Sequence, residues 1–183
     1  MTLGLPRLHL RSTGSTNARA RELALAGAQR EQRVGLAVAD LAGPRAQVKW
    51  PNDVLLDGRK VAGVLVEGRP QEGWAVLGIG VNAALDLAQL PEELHATAGT
   101  LGLSPRELPR ALADLLAALG ARLEQSPEAV LAALRERDAL AGQPVRWEGG
   151  SGTGAGIGDD GALRVRDAAG TEHVLAAGEV HLG

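Results

Sequence analysis

Polar and apolar positions change period several times along the chain, and each change marks an element. Leu8 to Arg11 reads as a short strand. STGSTNARARELALAGA then sets Ser and Thr ahead of an alanine- and leucine-rich run, a helix start that Gly27 would close. EQRVGLAVADLAG predicts a second helix ended by Gly43-Pro44, and Ala46 to Trp50 a strand. VLLDGRKVAGVLVEG carries two β-rich runs around Asp57-Gly58, a dipeptide that tolerates the positive φ angles of a tight hairpin, and GWAVLGIGVNA supplies a third run. Together they predict an antiparallel meander with one face against helices, whose strands bring Lys49, Lys60 and Asn82 into one neighbourhood.

Two more helices follow. SPRELPRALADLLAALGARLEQ offers Ser104 as cap, Pro105 in the first turn and Glu107 completing a capping box, and SPEAVLAALRERDAL repeats the Ser-Pro opening. After Ala141 the pattern turns to short strands, QPVRWEG, ALRVRD and EHVLAAGEVHL, separated by Gly-rich turns. GGSGTGAGIGDDG matches neither the GxGxxG spacing nor a P-loop and has no helix behind it, so it reads as a flexible hairpin connection. The expected fold is α+β: a mixed or antiparallel sheet packed by helices over residues 1–140, then a small C-terminal β-barrel domain over 141–183.

At 183 residues and 45% hydrophobic the chain can bury one substantial core plus a small module. With no Phe or Tyr, that core must be built from Leu, Val and Ala around Trp50, Trp74 and Trp147. The absence of cysteine excludes disulfides, thiolate metal sites and thiol catalysis. The N-terminus lacks the long apolar run of a signal peptide, and no stretch of about 18 apolar residues could cross a bilayer, so a cytoplasmic protein is expected. A net charge of -3, with arginines scattered among acids, gives no footprint for nucleic acid.

One bias changes the picture. Of 19 basic residues only Lys49 and Lys60 are lysine, and both lie in QVKWPNDVLLDGRKVAGVLVEG. A guanidinium is a wide planar fork, whereas an ammonium is a compact charge that can point into a narrow polar pocket. Lysine retained twice within twelve residues, in a chain that otherwise uses arginine, marks sites where the fork does not fit. The only three asparagines, Asn17, Asn52 and Asn82, each sit at the end or start of a predicted element. An amide can donate and accept at once, which suits a ureido group, a base edge or a phosphate oxygen. Helix-start, turn and strand-end roles are the competing reading for each Asn taken singly.

These residues resemble the biotin protein ligases. GSTNARA is similar to the family's Ser-Thr-Asn motif, KWPNDVLLDGRKVAGVLVEG to its signature block, GIGVN to its adenylate-side strand, and AGEVHLG to the close of its small C-terminal domain. The resemblance implies a fold like that of class II synthetases and a two-step reaction. The carboxylate of biotin attacks the α-phosphate of ATP, giving biotinyl-adenylate and pyrophosphate, and a lysine of a biotin carboxyl carrier domain then takes the acyl group. It further implies that Lys49 bridges the biotin carboxylate and α-phosphate with Mg²⁺ assisting, metal ligands unassigned. Ser15 and Thr16 match positions that bond the biotin ring end. Asn17, Asn52 and Asn82 match positions near biotin or the nucleotide phosphates. Gly63 would line the pocket where a side chain would collide with ligand, and Lys60 belongs with the nucleotide unless it is a solvated hairpin lysine. The carrier would dock by adding a strand at an exposed sheet edge; a homodimer is left open.

The chain departs from the family at one place. Gln29-Arg30-Glu31-Gln32-Arg33 stands where the family has two core strands and a Gly-Arg-Gly-Arg-x-Gly-Arg loop that folds over biotinyl-adenylate. Either the chain is a shortened relative or the sequence lacks a segment of a longer protein. A degenerate homologue that binds biotin or adenylate without turnover is therefore a second reading, and a lipoate ligase, against which KWPND argues, a third. No helix-turn-helix is expected ahead of Leu8, and hence no repressor function.

Overall fold

A computed structural model describes residues 31–69 and 74–183. The expected strand at Leu8 to Arg11, the helix after it, and Ser15, Thr16 and Asn17 lie outside the described residues.

Helix α1 (Glu31–Ala42) is apolar almost all round, as a helix enclosed on both sides must be. Val34, Leu36, Ala37, Val38 and Ala39 have no exposed surface. Gly35 faces Val48, whose Cγ1 would lie 3.5 Å from an added Cβ, so helix and sheet approach closely there. Gly43, at φ +100°, ends the helix by donating its N–H to the Ala39 carbonyl (3.0 Å).

The meander forms as expected, in the order β1 (Ala46–Lys49), β2 (Asp53–Leu56), β3 (Arg59–Arg69), β4 (Trp74–Val81), every neighbour antiparallel. Asp57 (φ 51°) and Gly58 (φ 77°) turn β2 into β3 with the paired positive angles that the dipeptide predicts. Trp50 falls in the turn after β1, and the Trp50–Pro51 peptide is cis. Val48, Val54, Val61, Ala62 and Val64 form one buried cluster with α1 and with Leu115, Leu119, Val130 and Leu134 of the two later helices.

Those helices are α2 (Leu108–Glu124) and α3 (Pro127–Glu136). For α3 the Ser-Pro opening works as expected: the Ser126 hydroxyl accepts from Ala129 N–H (3.3 Å). For α2 it does not. Ser104 donates both its N–H (2.8 Å) and its hydroxyl (2.7 Å) to the Glu107 carboxylate, residues 105–107 form a turn, and the α-helix begins at Leu108. Because the hydroxyl points at the carboxylate instead of accepting from Glu107 N–H, only half of a capping box is made, and Pro109 opens the helix.

Past Ala141 a second sheet pairs β5 (Pro144–Trp147), β6 (Gly150–Ile157), β7 (Leu163–Arg166), β8 (Glu172–Leu175) and β9 (Val180–Leu182) in the order β8-β7-β6-β5-β9. Three expectations are corrected. EHVLAAGEVHL makes two strands, β8 and β9, broken around Gly178 at φ +109°. Among the described residues no pairing closes β8 onto β9, so the sheet is open and not a closed barrel. GGSGTGAGIGDDG is no flexible connection, since its Gly150 to Ile157 portion is the central strand β6. Glycine is required there by crowding: a Cβ on Gly154 would strike the Leu140 carbonyl, and one on Gly152 the Arg166 carbonyl. Leu140, Val145, Ile157, Leu163, Val165 and Val180 form a second buried cluster, and Trp50 joins it.

Candidate active site

Register assembles the site. Lys49 lies opposite Asp53, Asp53 opposite Gly63, and Gly63 opposite Gly80, one row across the four strands. Directly opposed residues share a face, and the alternate positions Val48, Val54 and Val64 pack toward α1, so this row lies on the other face. The row carries an ammonium, a carboxylate and then two residues with no side chain. Lys60 joins it where the pairing of β2 and β3 shifts between Val54 and Leu55, the kind of irregularity that re-aims a side chain.

Both lysines converge on Asp53. Lys60 Nζ lies 2.6 Å from Asp53 Oδ1, and Lys49 Nζ 3.4 Å from Oδ2. Lys49 and Asp53 are largely withdrawn, with 18% and 15% of their side-chain surfaces exposed, whereas Lys60 is half exposed. A Cβ on Gly63 would stand 3.5 Å from Lys60 Nζ and 3.7 Å from Asp53 Oδ1, so the bare backbone of Gly63 borders the charges directly. The Lys60 main chain is clamped as well: its N–H donates to Thr97 O (2.7 Å) and its carbonyl accepts from Gly99 N–H (2.8 Å).

The asparagines frame this cluster. Asn52 Nδ2 donates to Val64 O (2.8 Å) while the Asn52 carbonyl accepts from Val64 N–H (2.8 Å), fastening the turn after Pro51 to β3. Asn82 Nδ2 donates to Gly99 O (3.0 Å) and Lys60 O (3.3 Å), tying the end of β4 to the loop that clamps Lys60. Thr100 extends that frame, its hydroxyl donating to Asn82 O (3.0 Å). Lys49 and Lys60 thus meet at Asp53 with Gly63 beside them, while Asn82 reaches the Lys60 main chain and Asn52 that of Val64. Asp53 and Thr100 escaped sequence reasoning. The Asn-Asp pair reads as turn chemistry, and only the cross-strand register shows that Asp53 faces two lysines.

Gln32 and Arg33, at the end of the stretch Gln29 to Arg33, make structural bonds. Arg33 Nη1 donates to Arg122 O (2.8 Å) and Gln125 O (2.6 Å) at the end of α2, and Gln32 Nε2 to Gly161 O (3.2 Å). Elsewhere Asp138 stands out: its Oδ1 accepts from Leu140 N–H (2.8 Å), its Oδ2 is buried without a partner among the described residues, and burial pushes its carboxyl above the ordinary aspartate range. No helix among the described residues is long and apolar enough to cross a membrane.

Residues 17–83 match the biotin/lipoate A/B protein ligase family. A "Biotin--[acetyl-CoA-carboxylase] ligase" of Mycobacterium tuberculosis is 37% identical over 80% of this chain and 59% of its own length. One of the same name from Paracoccus denitrificans is 36% identical over 87% of this chain and 75% of its own length. The chain thus spans less than two thirds of the first and three quarters of the second. Among solved structures, the apo biotin protein ligase of Aquifex aeolicus superposes with a TM-score of 0.73 at 24% identity, covering 91% of this chain and 79% of that one. Its complex with biotin and ATP gives 0.71 at 22%, covering 91% and 75%.

Proposed function

Because this chain belongs to the biotin protein ligase family, we propose that it activates biotin with ATP and passes the acyl group to a lysine of a carboxylase carrier domain. In the first step a biotin carboxylate oxygen bonds to the α-phosphorus, the α–β phosphoanhydride breaks, and pyrophosphate leaves. In the second the carrier's amine attacks the acyl carbon, AMP leaves, and the amine gives up a proton. Anionic groups converge in the first step, so its barrier is lowered chiefly by fixed positive charge and by orientation.

The observation that carries this reading is the Lys49–Asp53–Lys60 cluster beside the Gly63–Gly80 floor. Lys49 would meet the biotin carboxylate and α-phosphate, and Lys60, with Asn52 and Asn82 framing it, the nucleotide side. Asp53 holds the two ammoniums against mutual repulsion until an anion enters, and the paired glycines leave room for a ring over the strands. Ser15, Thr16 and Asn17 complete the biotin end in this reading. Mg²⁺ would arrive with the nucleotide and add positive charge at the phosphates. Among the described residues no group of three His, Cys, Asp or Glu forms a cage, and Asp53, within the row, is the carboxylate that would be available to such an ion beside the phosphates. The division near Ala141 is taken as the boundary between the ligase unit and its C-terminal module.

Arg33 favours a second reading. Its guanidinium is committed to main-chain carbonyls at the position where the family carries its arginine loop, as expected of a homologue that binds without turning over. Incubation of the full chain with biotin, ATP and Mg²⁺, following pyrophosphate release, decides between them. Release that is biotin-dependent and lost in Lys49→Ala supports the ligase, whereas retained biotin binding without release supports the binding homologue. Adding a carrier domain and weighing it then separates adenylation from transfer.

A further inference from the structure

Lys49 is bracketed by residues held from the C-terminal part of the chain. On its N-terminal side, Val48 N–H donates to Arg137 O (2.8 Å) and the Val48 carbonyl accepts from Ala139 N–H (3.0 Å), so residues 137–139 run beside β1 as a parallel neighbour. On its other side, Trp50 leaves the meander altogether. The indole, 7% exposed, packs in the second sheet's cluster with Leu140, Val145, Ile157, Leu163, Val165 and Val180. Its Nε1–H donates to Gly161 O (3.2 Å), in the segment between β6 and β7, and Gln32 of α1 donates to the same carbonyl.

A lysine has four side-chain torsions, so its ammonium is only as well aimed as the backbone beneath it, and a reacting cluster tolerates displacement of only about 0.5 Å. For Lys49 that backbone is gripped at the preceding and following residues by elements far along the chain. A tryptophan serving the meander's own core would point toward α1, as Val48 and Val54 do, whereas Trp50 crosses to the other cluster. We propose that Trp50 is a positioning residue through which the C-terminal sheet sets the aim of the Lys49 ammonium. This rests on the reading of Lys49 as the ligand-facing cation.

The scarcity of lysine supplies the test. Reductive methylation of the full chain with ¹³C-formaldehyde labels only Lys49, Lys60 and the terminal amine, and Lys49→Arg and Lys60→Arg assign the NMR signals. Trp50→Phe keeps an aromatic ring in the cluster but removes the N–H, and Gln32 still satisfies Gly161 O. The expected result is a Lys49 signal moved at least halfway to that of free dimethyl-lysine, with Lys60 unmoved. In unmethylated Trp50→Phe, kcat for biotin-dependent ATP–pyrophosphate exchange should fall about tenfold with KM for biotin within twofold. A folded Trp50→Phe with both quantities unchanged overturns the proposal, as does movement of both lysine signals together, which is general loosening. Should that variant not fold, Gly161→Ala takes its place, because a methyl at φ +78° would strike the Gln32 amide and shift the acceptor carbonyl; a Lys49 signal that stays put there overturns the proposal equally. Wild-type protein without exchange sinks the ligase reading alone, and the NMR arm still decides the coupling.

Discussion

Lys60 Nζ stands 2.6 Å from Asp53 Oδ1, and the other oxygen of that carboxylate faces Lys49 at 3.4 Å. One acid thus separates the only two ammonium side chains in the protein. Asp53→Asn leaves the cations facing each other across a neutral amide. Biotin-dependent exchange should fall 10- to 100-fold, about 1.4–2.7 kcal/mol of transition-state stabilisation, while the melting temperature changes little. Exchange at the wild-type rate would remove Asp53 from the site.

Lys49→Ala deletes a charge from the converging centre and should lower exchange at least about a hundredfold, the usual loss for one preorganised contact, about 3 kcal/mol. Lys49→Arg keeps the charge but replaces a compact ammonium with a planar fork. With only 18% of the lysine side chain exposed, the fork has little room, and the loss should be nearly as large. An arginine variant with full activity would refute the narrow site.

Asp138 predicts a pH dependence. Burial raises its carboxyl, so between the ordinary aspartate value and the raised one the folded chain binds more protons than the unfolded chain. Stability from this group is therefore full below that window and lost as pH rises through it. Asp138→Asn keeps an acceptor for Leu140 N–H and removes the ionisation. Urea denaturation from about pH 3 to about pH 7 should show a shallower fall with pH in the variant than in wild type, and identical slopes would exclude the shift.

Gly154→Ala puts a methyl against the Leu140 carbonyl, a backbone atom that cannot swing away. The expected cost is at least about 1–3 kcal/mol, a fall of several degrees in melting temperature for a chain of this size. A Gly154→Ala protein as stable as wild type would mean that β6 is not packed as described.

The sequence made the hairpin at Asp57-Gly58, the order of the meander, the span of α1 and the Ser126 cap legible, because each rests on local chemistry: positive φ, alternation, a hydroxyl before a helix. It misjudged what depends on distant neighbours. Glycines at 150, 152 and 154 look flexible until the Trp147 ring and the carbonyls of Arg166 and Leu140, respectively, are seen crowding them. One miss was local: Ser104 looked like a cap because Glu107 follows at the right spacing, yet the hydroxyl chose the carboxylate. Lys49, Lys60 and Asn82 were singled out through residue bias, and Gly63 through resemblance. Asp53 was not, since a single aspartate after asparagine carries no signal of its own and gains one only from strand register.

The parallel pairing of residues 137–139 with β1 has a further consequence for how far the chain can be trimmed. A fragment stopping at Glu136 would strip β1 of its outer neighbour and leave unsatisfied main-chain groups at Val48, an invitation to self-association next to the most valuable lysine. The smallest autonomous piece must therefore reach beyond the last helix, and the tail is a retaining wall for the sheet it follows.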